Sequence, residues 1–237
     1  MVFKKLICVF FLLVFQSAAH SQDWEWEITP YLWAAGIEGS VLAGPQGADI
    51  SVEFEDLLNV LSGGALVRFE ASKDRNRFFG DLVYLALEEN NARDTVGGSI
   101  AADLDTLIIE AGYSRKVSDT LAWDVGVRYW DFETALTPPI LPAATSSHSW
   151  ADGFTGPRFT VDISSNWTWI TRANIGGGGS DFALGVDLDF RRRFENGNSL
   201  AVGFRALSVE FEKASSAVPL VLDTTFLGLT LGYVFDL

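Results

Sequence analysis

The sequence predicts an all-β chain closed into a transmembrane antiparallel up-and-down β-barrel of about ten strands. Three observations carry that prediction. Apolar residues recur with period two: in LAWDVGVRYWD (121–131), Leu121, Trp123, Val125, Val127 and Tyr129 alternate with Ala122, Asp124, Gly126 and Arg128. The alternating runs are long, about 15 residues at 103–117 and 198–213, where an ordinary strand has roughly 5–6. The chain is 48% hydrophobic, yet no stretch beyond residue 21 approaches the run of about 18 apolar residues that a spanning helix needs.

A soluble antiparallel sandwich also alternates, but its outer face is rich in Lys and Glu. Here the polar face is Gly, Ala, Arg and Asp, as in Ala183, Gly185, Asp187, Asp189 and Arg191 against Phe182, Leu184, Val186, Leu188 and Phe190. Such a face suits a crowded interior. Lipid then covers the apolar face, and the sheet must close, because an open edge in hydrocarbon leaves backbone groups unpaired.

Taken in order, the chain opens with MVFKK, an apolar run LICVFFLLVF and the small-residue zone QSAAHSQ. This is the form of a secretory signal peptide, residues 1–21, cut after Ser21 and leaving a barrel domain over 22–237. A membrane anchor is the competing reading, but roughly 10 apolar residues cannot cross about 30 Å as a helix. Cys8 leaves with the signal, which excludes disulfides and thiol chemistry. Lys4 and Lys5 leave as well, so 17 − 2 = 15 basic residues face 31 acidic ones, a charge of 15 − 31 = −16. That balance excludes nucleic acid as a partner, since its binding rests on neutralising phosphate.

Strands follow at 24–37, 63–72, 78–90, 100–116, 121–136, 149–163, 167–176, 182–194, 199–212 and 222–237. Residues 36–63 form a first external loop, with a small hairpin at 48–54 and one helical turn at 56–61. Eight or twelve strands result if that hairpin enters the membrane. Short turns at 73–77, 116–120, 164–166 and 195–198 alternate with long loops at 88–98, 137–147, 176–181 and 212–221, the arrangement of bacterial outer-membrane barrels. Trp24, Trp26, Trp123, Trp167 and Trp169 fall at strand beginnings on the short-turn side, with Tyr233 and Phe235 at the end of the last strand, as an interfacial aromatic girdle.

The last eight residues, TLGYVFDL, keep the alternation to the end. They resemble the C-terminal recognition signal of outer-membrane barrels, with Thr230, Gly232, Phe235 and Leu237 at its positions and a final Leu where Phe is commoner. The resemblance implies that the barrel assembly machinery binds this strand by edge pairing. ITPYLWAAGIEGSV (28–41), FEASKDRNRFFGDLVYLAL (69–87) and GVRYWDFET (126–134) are similar to a family of bacterial outer-membrane β-barrel proteins of roughly 250 residues, with an ITPYLW-type first strand. What it implies is the fold and a place in the Gram-negative outer membrane; it supplies no catalytic motif.

Parity assigns the interior. Arg68, Arg128, Arg158, Arg172, Arg191 and Arg205 face in, as do Glu70, Glu110, Asp124, Asp152, Asp162, Asp187 and Asp189. Near balance of charge predicts a paired network filling the lumen, because buried charges persist only when paired. Barrels of about eight strands are filled by side chains, whereas aqueous channels take about 16–18. A narrow conduit for small solutes and a recognition site are the alternatives.

Catalysis finds little support. His20 leaves with the signal, so His148 is the single histidine, flanked by Ser146, Ser147, Ser149 and Asp152. A Ser/His/Asp set is conceivable there, but hydroxyls beside a His in a Pro/Ala/Ser stretch read as a solvated loop. The glycines 176–179 lack the GK[ST] and helix of a phosphate loop and read as flexible loop. Glu53, Glu55, Asp56, Glu88 and Glu89 read as a solvated acidic face, with a divalent cation bridging lipopolysaccharide as the alternative. The expectation is therefore a structural or interaction barrel at the cell envelope, with no catalytic, cofactor-binding or metal residues. Its partners are outer-membrane lipids, lipopolysaccharide and the assembly machinery, and its oligomeric state is open.

Overall fold

Side chains alternate sides along a strand, so a period-two sequence can satisfy both faces only if each face meets a different medium. The computed structural model describes residues 24–43, 46–52, 55, 61–95, 98–137, 144–213 and 220–237. Its strands are β1 (Glu25–Ala43), β2 (Gln46–Val52), β3 (Leu61–Lys73), β4 (Asn76–Thr95), β5 (Gly98–Lys116) and β6 (Leu121–Thr137), followed by β7 (Ala144–Ser164), β8 (Trp167–Gly178), β9 (Phe182–Arg193), β10 (Ser199–Lys213) and β11 (Leu220–Asp236). Each pairs antiparallel with its sequence neighbour, except that β3 and β2 both lie on the same edge of β1, low and high respectively. β11 returns to β1, with Ile28 opposite Phe235, Leu32 opposite Leu231 and Gly36 opposite Leu227. Ten strands thus close a transmembrane antiparallel barrel, and β2 extends its rim without entering the wall.

The faces are inverted relative to a soluble protein. Leu32, Val127, Leu229 and Ile175 are 56–68% exposed on the outside, while Asp124, Arg128 and Asp152 are at most 1% exposed within. Burying a charge costs far more than exposing a leucine, so this arrangement is stable only where hydrocarbon surrounds the wall. At the short-turn end, Trp24, Phe78 and Tyr113 make a chain of rings, Trp26 packs on Phe69 and Trp169 on Phe190. Trp123 and Trp167 are exposed at the same end. Trp33, Trp130 and Trp150 are instead buried inside.

The outer connections depart from expectation: β1 runs on to Ala43 through the start of the expected first loop, and β7 begins at Ala144 inside the expected loop 137–147. Residues 88–95 and 98–103 continue β4 and β5 as a tall hairpin rather than a loop. β8 and β9 are joined by three residues, 179–181, so this part of the outer rim is low. Glycine at 179 has a steric reason: a Cβ there would lie 2.7 Å from Trp150 Cβ and 2.9 Å from the Ala151 carbonyl. At the opposite end, the two-residue turn between β3 and β4 places Asp74 at φ 55°, a left-handed conformation that Asp tolerates. The helical turn expected at 56–61 and the acidic residues Glu53 and Asp56 lie outside the described residues, apart from Leu61, which opens β3.

Candidate functional site in the barrel interior

Inward positions on nine strands bring charge into the middle of the lumen. Among the described residues, seven arginines (Arg68, Arg77, Arg128, Arg158, Arg172, Arg191, Arg205) and seven carboxylates (Glu27, Glu70, Asp81, Glu110, Asp124, Asp187, Asp189) are linked by ion pairs. The equal numbers let each charge be neutralised locally, as confinement demands.

The pairs run along the wall and also across it. Arg128 on β6 lies directly opposite Glu110 on β5, and donates to its Oε2 from Nε at 2.9 Å and from Nη2 at 2.7 Å. Its Nη2 also donates to Asn174 Oδ1 at 2.8 Å. Arg172 on β8 reaches the other Glu110 oxygen and donates from Nε to Asp124 Oδ2 at 2.9 Å. Arg158 on β7 shares that Asp124 oxygen and donates to Glu70 Oε1 of β3 at 3.0 Å. Arg205 on β10 donates to Asp81 Oδ2 of β4 at 2.7 Å, and Arg68 joins Asp81, Asp187 and Asp189. Side chains of opposite walls therefore meet, and two gaps among the described residues there are about 10 and 20 Å³, at most room for one water each.

Aromatic rings brace the cations. The Arg172 guanidinium sits 4.5 Å and that of Arg158 5.0 Å from the Phe79 centroid, and Arg128 sits 5.1 Å from Phe154. Room for Phe79 comes from Gly112 on β5, where a Cβ would collide with its ring.

Beyond the charged layer, toward the outer rim, the lumen is filled differently. Trp150 stacks on Phe211 at 4.3 Å and on Trp130 at 5.8 Å, and Phe132 and Phe226 continue the stack to Trp33. Val83, Ile108, Leu207 and Val209 complete this buried cluster. A lumen with a buried aromatic layer is a correction to the polar interior face expected.

Asp152 belongs to this second layer. Its register partner on β6 is Arg128, yet that guanidinium turns to Glu110. Asp152 accepts instead from the indoles of Trp130 (2.8 Å) and Trp150 (3.3 Å) and from the backbone N–H groups of Gly179 (3.0 Å) and Ser180 (2.7 Å). This also separates the triad candidates: both Asp152 oxygens are taken, Ser147 and Ser149 are exposed on the opposite face of β7, and His148 is a half-buried neighbour of Phe132. Asp162 stands outside the ion-paired network. It lies near the short-turn end of β7, past the filled section, where it is exposed and accepts from Thr168 at 2.8 Å.

Asp81, Tyr31 and Asn174 escape the parity reading. In FFGDLVYLAL and ITPYLWAAG both faces are apolar, because Phe79, Val83, Trp33 and Ala35 pack inside while Leu82 and Leu32 face out, so alternation is lost. A charge within an apolar strand, such as Asp81, was the usable signal.

At the closing strand, Thr230 and Gly232 are buried inward, Phe235 and Leu237 are exposed, and Leu237 N donates to the Trp26 carbonyl at 2.9 Å.

No protein-family model and no curated protein matches the chain. Among solved structures, it is similar to the outer membrane protease OmpT from Escherichia coli (6% identity, 92% of this chain and 98% of that one, TM-score 0.48). Ail, the attachment invasion locus protein of Yersinia pestis, is similar at 9% identity over 91% of this chain and 100% of that one, with TM-score 0.45. The translocator domain of the autotransporter NalP from Neisseria meningitidis is similar at 12% identity over 98% and 96%, with TM-score 0.37. Such scores give these likenesses no weight for function. The barrel reading stands on the closed ladder and the inverted faces.

Proposed function

We propose that this chain is an integral barrel of the Gram-negative outer membrane whose lumen is closed, and that it serves a structural or interaction role at the cell envelope through its outer rim. Export by the signal peptide over 1–21, insertion through Thr230, Gly232, Phe235 and Leu237, and lateral contact with outer-membrane lipids and lipopolysaccharide belong to the same reading. The supporting observation is the ion pairing across the lumen, Arg205 to Asp81 above all, with Arg172 to Glu110 and Arg158 to Glu70 beside it. A solute following the axis would have to part several buried pairs at once, each of which costs about 3–5 kcal/mol to break on one side. The tall outer strands, β4 with β5 and β6 with β7, provide the rim.

Planar-bilayer recording on the folded full chain tests the reading. The expected result is no unitary conductance. Reproducible, ion-selective steps would make the protein a narrow conduit, and recovery from the soluble periplasm in cell fractionation would remove it from the membrane altogether.

A further inference from the structure

Charge on the outer face of the wall is sorted by level. At the short-turn end, the charged residues at outward strand positions are Lys73, Arg115 and Arg192. The described carboxylates of the same strand ends, Glu25, Asp162 and Asp236, take inward positions. At the other rim the outward residues are acidic. Asp105 stands opposite Glu133 on β5 and β6, and Glu210 opposite Asp223 on β10 and β11, all four exposed. Like charges directly opposite repel, so an anion is turned away at that rim and attracted at the short-turn end.

Two seats hold cations within the aromatic girdle. Across β3, β4 and β5, Lys73 stands opposite Asn76 and Asn76 opposite Arg115, in one row. Asn76 Oδ1 accepts from Arg115 Nη1 at 2.6 Å and from the Tyr113 hydroxyl at 2.7 Å. One nitrogen thus fixes the guanidinium, and among the described residues Arg115 joins no ion pair. Trp123, exposed, stands opposite Arg115, and its indole Nε1 is tied to Thr155 Oγ1 at 2.7 Å. The second seat is Arg192 on β9. Its guanidinium lies 5.9 Å from the ring centroid of Trp167, its register partner, between exposed Phe190 and Phe194. Among the described residues no carboxylate pairs with this exposed arginine.

A cation at the edge of hydrocarbon needs water or an anion beside it. We infer that these two seats bind the phosphate groups of anionic phospholipids in the leaflet at the short-turn end. The fork of a guanidinium matches phosphate in geometry, and interfacial rings lie at the level of lipid head groups. A zwitterionic head group brings its own ammonium, which offsets the attraction; an anionic one does not. The inference deepens the lipid contact proposed above and rests on the membrane-spanning reading.

Lipid retention by the folded full chain tests it. The protein is reconstituted in vesicles of equal parts phosphatidylglycerol and phosphatidylcholine, extracted in mild detergent and weighed by native mass spectrometry. It should retain phosphatidylglycerol in preference by about fivefold or more, the factor that one basic residue near an anionic surface supplies. Arg115→Gln with Arg192→Gln should bring the ratio close to unity, whereas Arg115→Lys with Arg192→Lys should keep most of it. Should the glutamine pair fail to fold, added salt replaces it, since screening should erase the preference of the unaltered protein. Equal retention of the two lipids, or a preference that survives both the glutamine pair and salt, overturns the proposal. Flotation with the vesicles before extraction reports insertion separately. A chain that floats without discriminating loses this proposal alone, and one that does not float loses the membrane-spanning reading with it.

Discussion

Arg205 of β10 and Asp81 of β4 meet across the full width of the lumen, Nη1 to Oδ2 at 2.7 Å, and Tyr31 of β1 ties them together by accepting from Arg205 at 2.8 Å and donating to Asp81 at 2.8 Å. One buried contact thus joins three strands that are far apart in sequence. The interior is a load shared among the walls, and its disruption should be felt as stability.

Arg128→Ala removes three donated hydrogen bonds and leaves Glu110 with Arg172 alone. Breaking such a buried pair costs about 3–5 kcal/mol. The folded band in heat-modifiable gel migration should give way at a clearly lower temperature, with bilayer conductance still absent. Unchanged melting together with a new current would favour a conduit.

Gly112→Ala places a methyl group against the Phe79 ring, which is held by Arg158 and Arg172 and cannot retreat freely. Overpacking of this kind costs about 1–3 kcal/mol. Chemical unfolding in detergent should show the loss, and Gly112→Ala combined with Phe79→Leu should recover part of it.

Asp152→Asn keeps the shape but turns one acceptor oxygen into a donor amide. Either the two indoles or the two backbone N–H groups then face a donor, at a cost of about 1–3 kcal/mol for unsatisfied buried groups. Near-ultraviolet circular dichroism should report a disturbed Trp130–Trp150 stack. An unchanged spectrum would mean that the carboxylate does not organise the rings.

Deletion of residues 235–237 removes the pairing of Phe235 with Ile28 and the bond from Leu237 N to the Trp26 carbonyl. The first strand then loses the short-turn end of its closing ladder to β11. Degraded, unassembled protein is expected on immunoblots of membrane fractions, and normal amounts of folded barrel would show that these residues carry no assembly information.

The sequence by itself determined the strand lanes, their lipid-facing side and most of the charged residues of the mid-lumen. Period-two contrast survives wherever one face meets lipid and the other meets arginine or aspartate, as in β6, β9 and β10. It disappears in β1 and β4, whose inner faces hold Tyr31, Trp33, Phe79 and Val83, so parity alone assigned neither Asp81 nor the aromatic residues there to the interior. Pairing also lay beyond it. Parity says that Arg128 points inward, but only the packing of ten walls around one axis decides that it turns to Glu110 while Asp152 is left to two indoles and a glycine turn. The β1–β3 ladder depends likewise on closure: Pro30 and Val67 are visible in the chain, and that they stand opposite one another is a fact of the closed barrel. Local alternation fixes which medium a side chain meets, whereas partners across a lumen are set by distances that no stretch of strand contains.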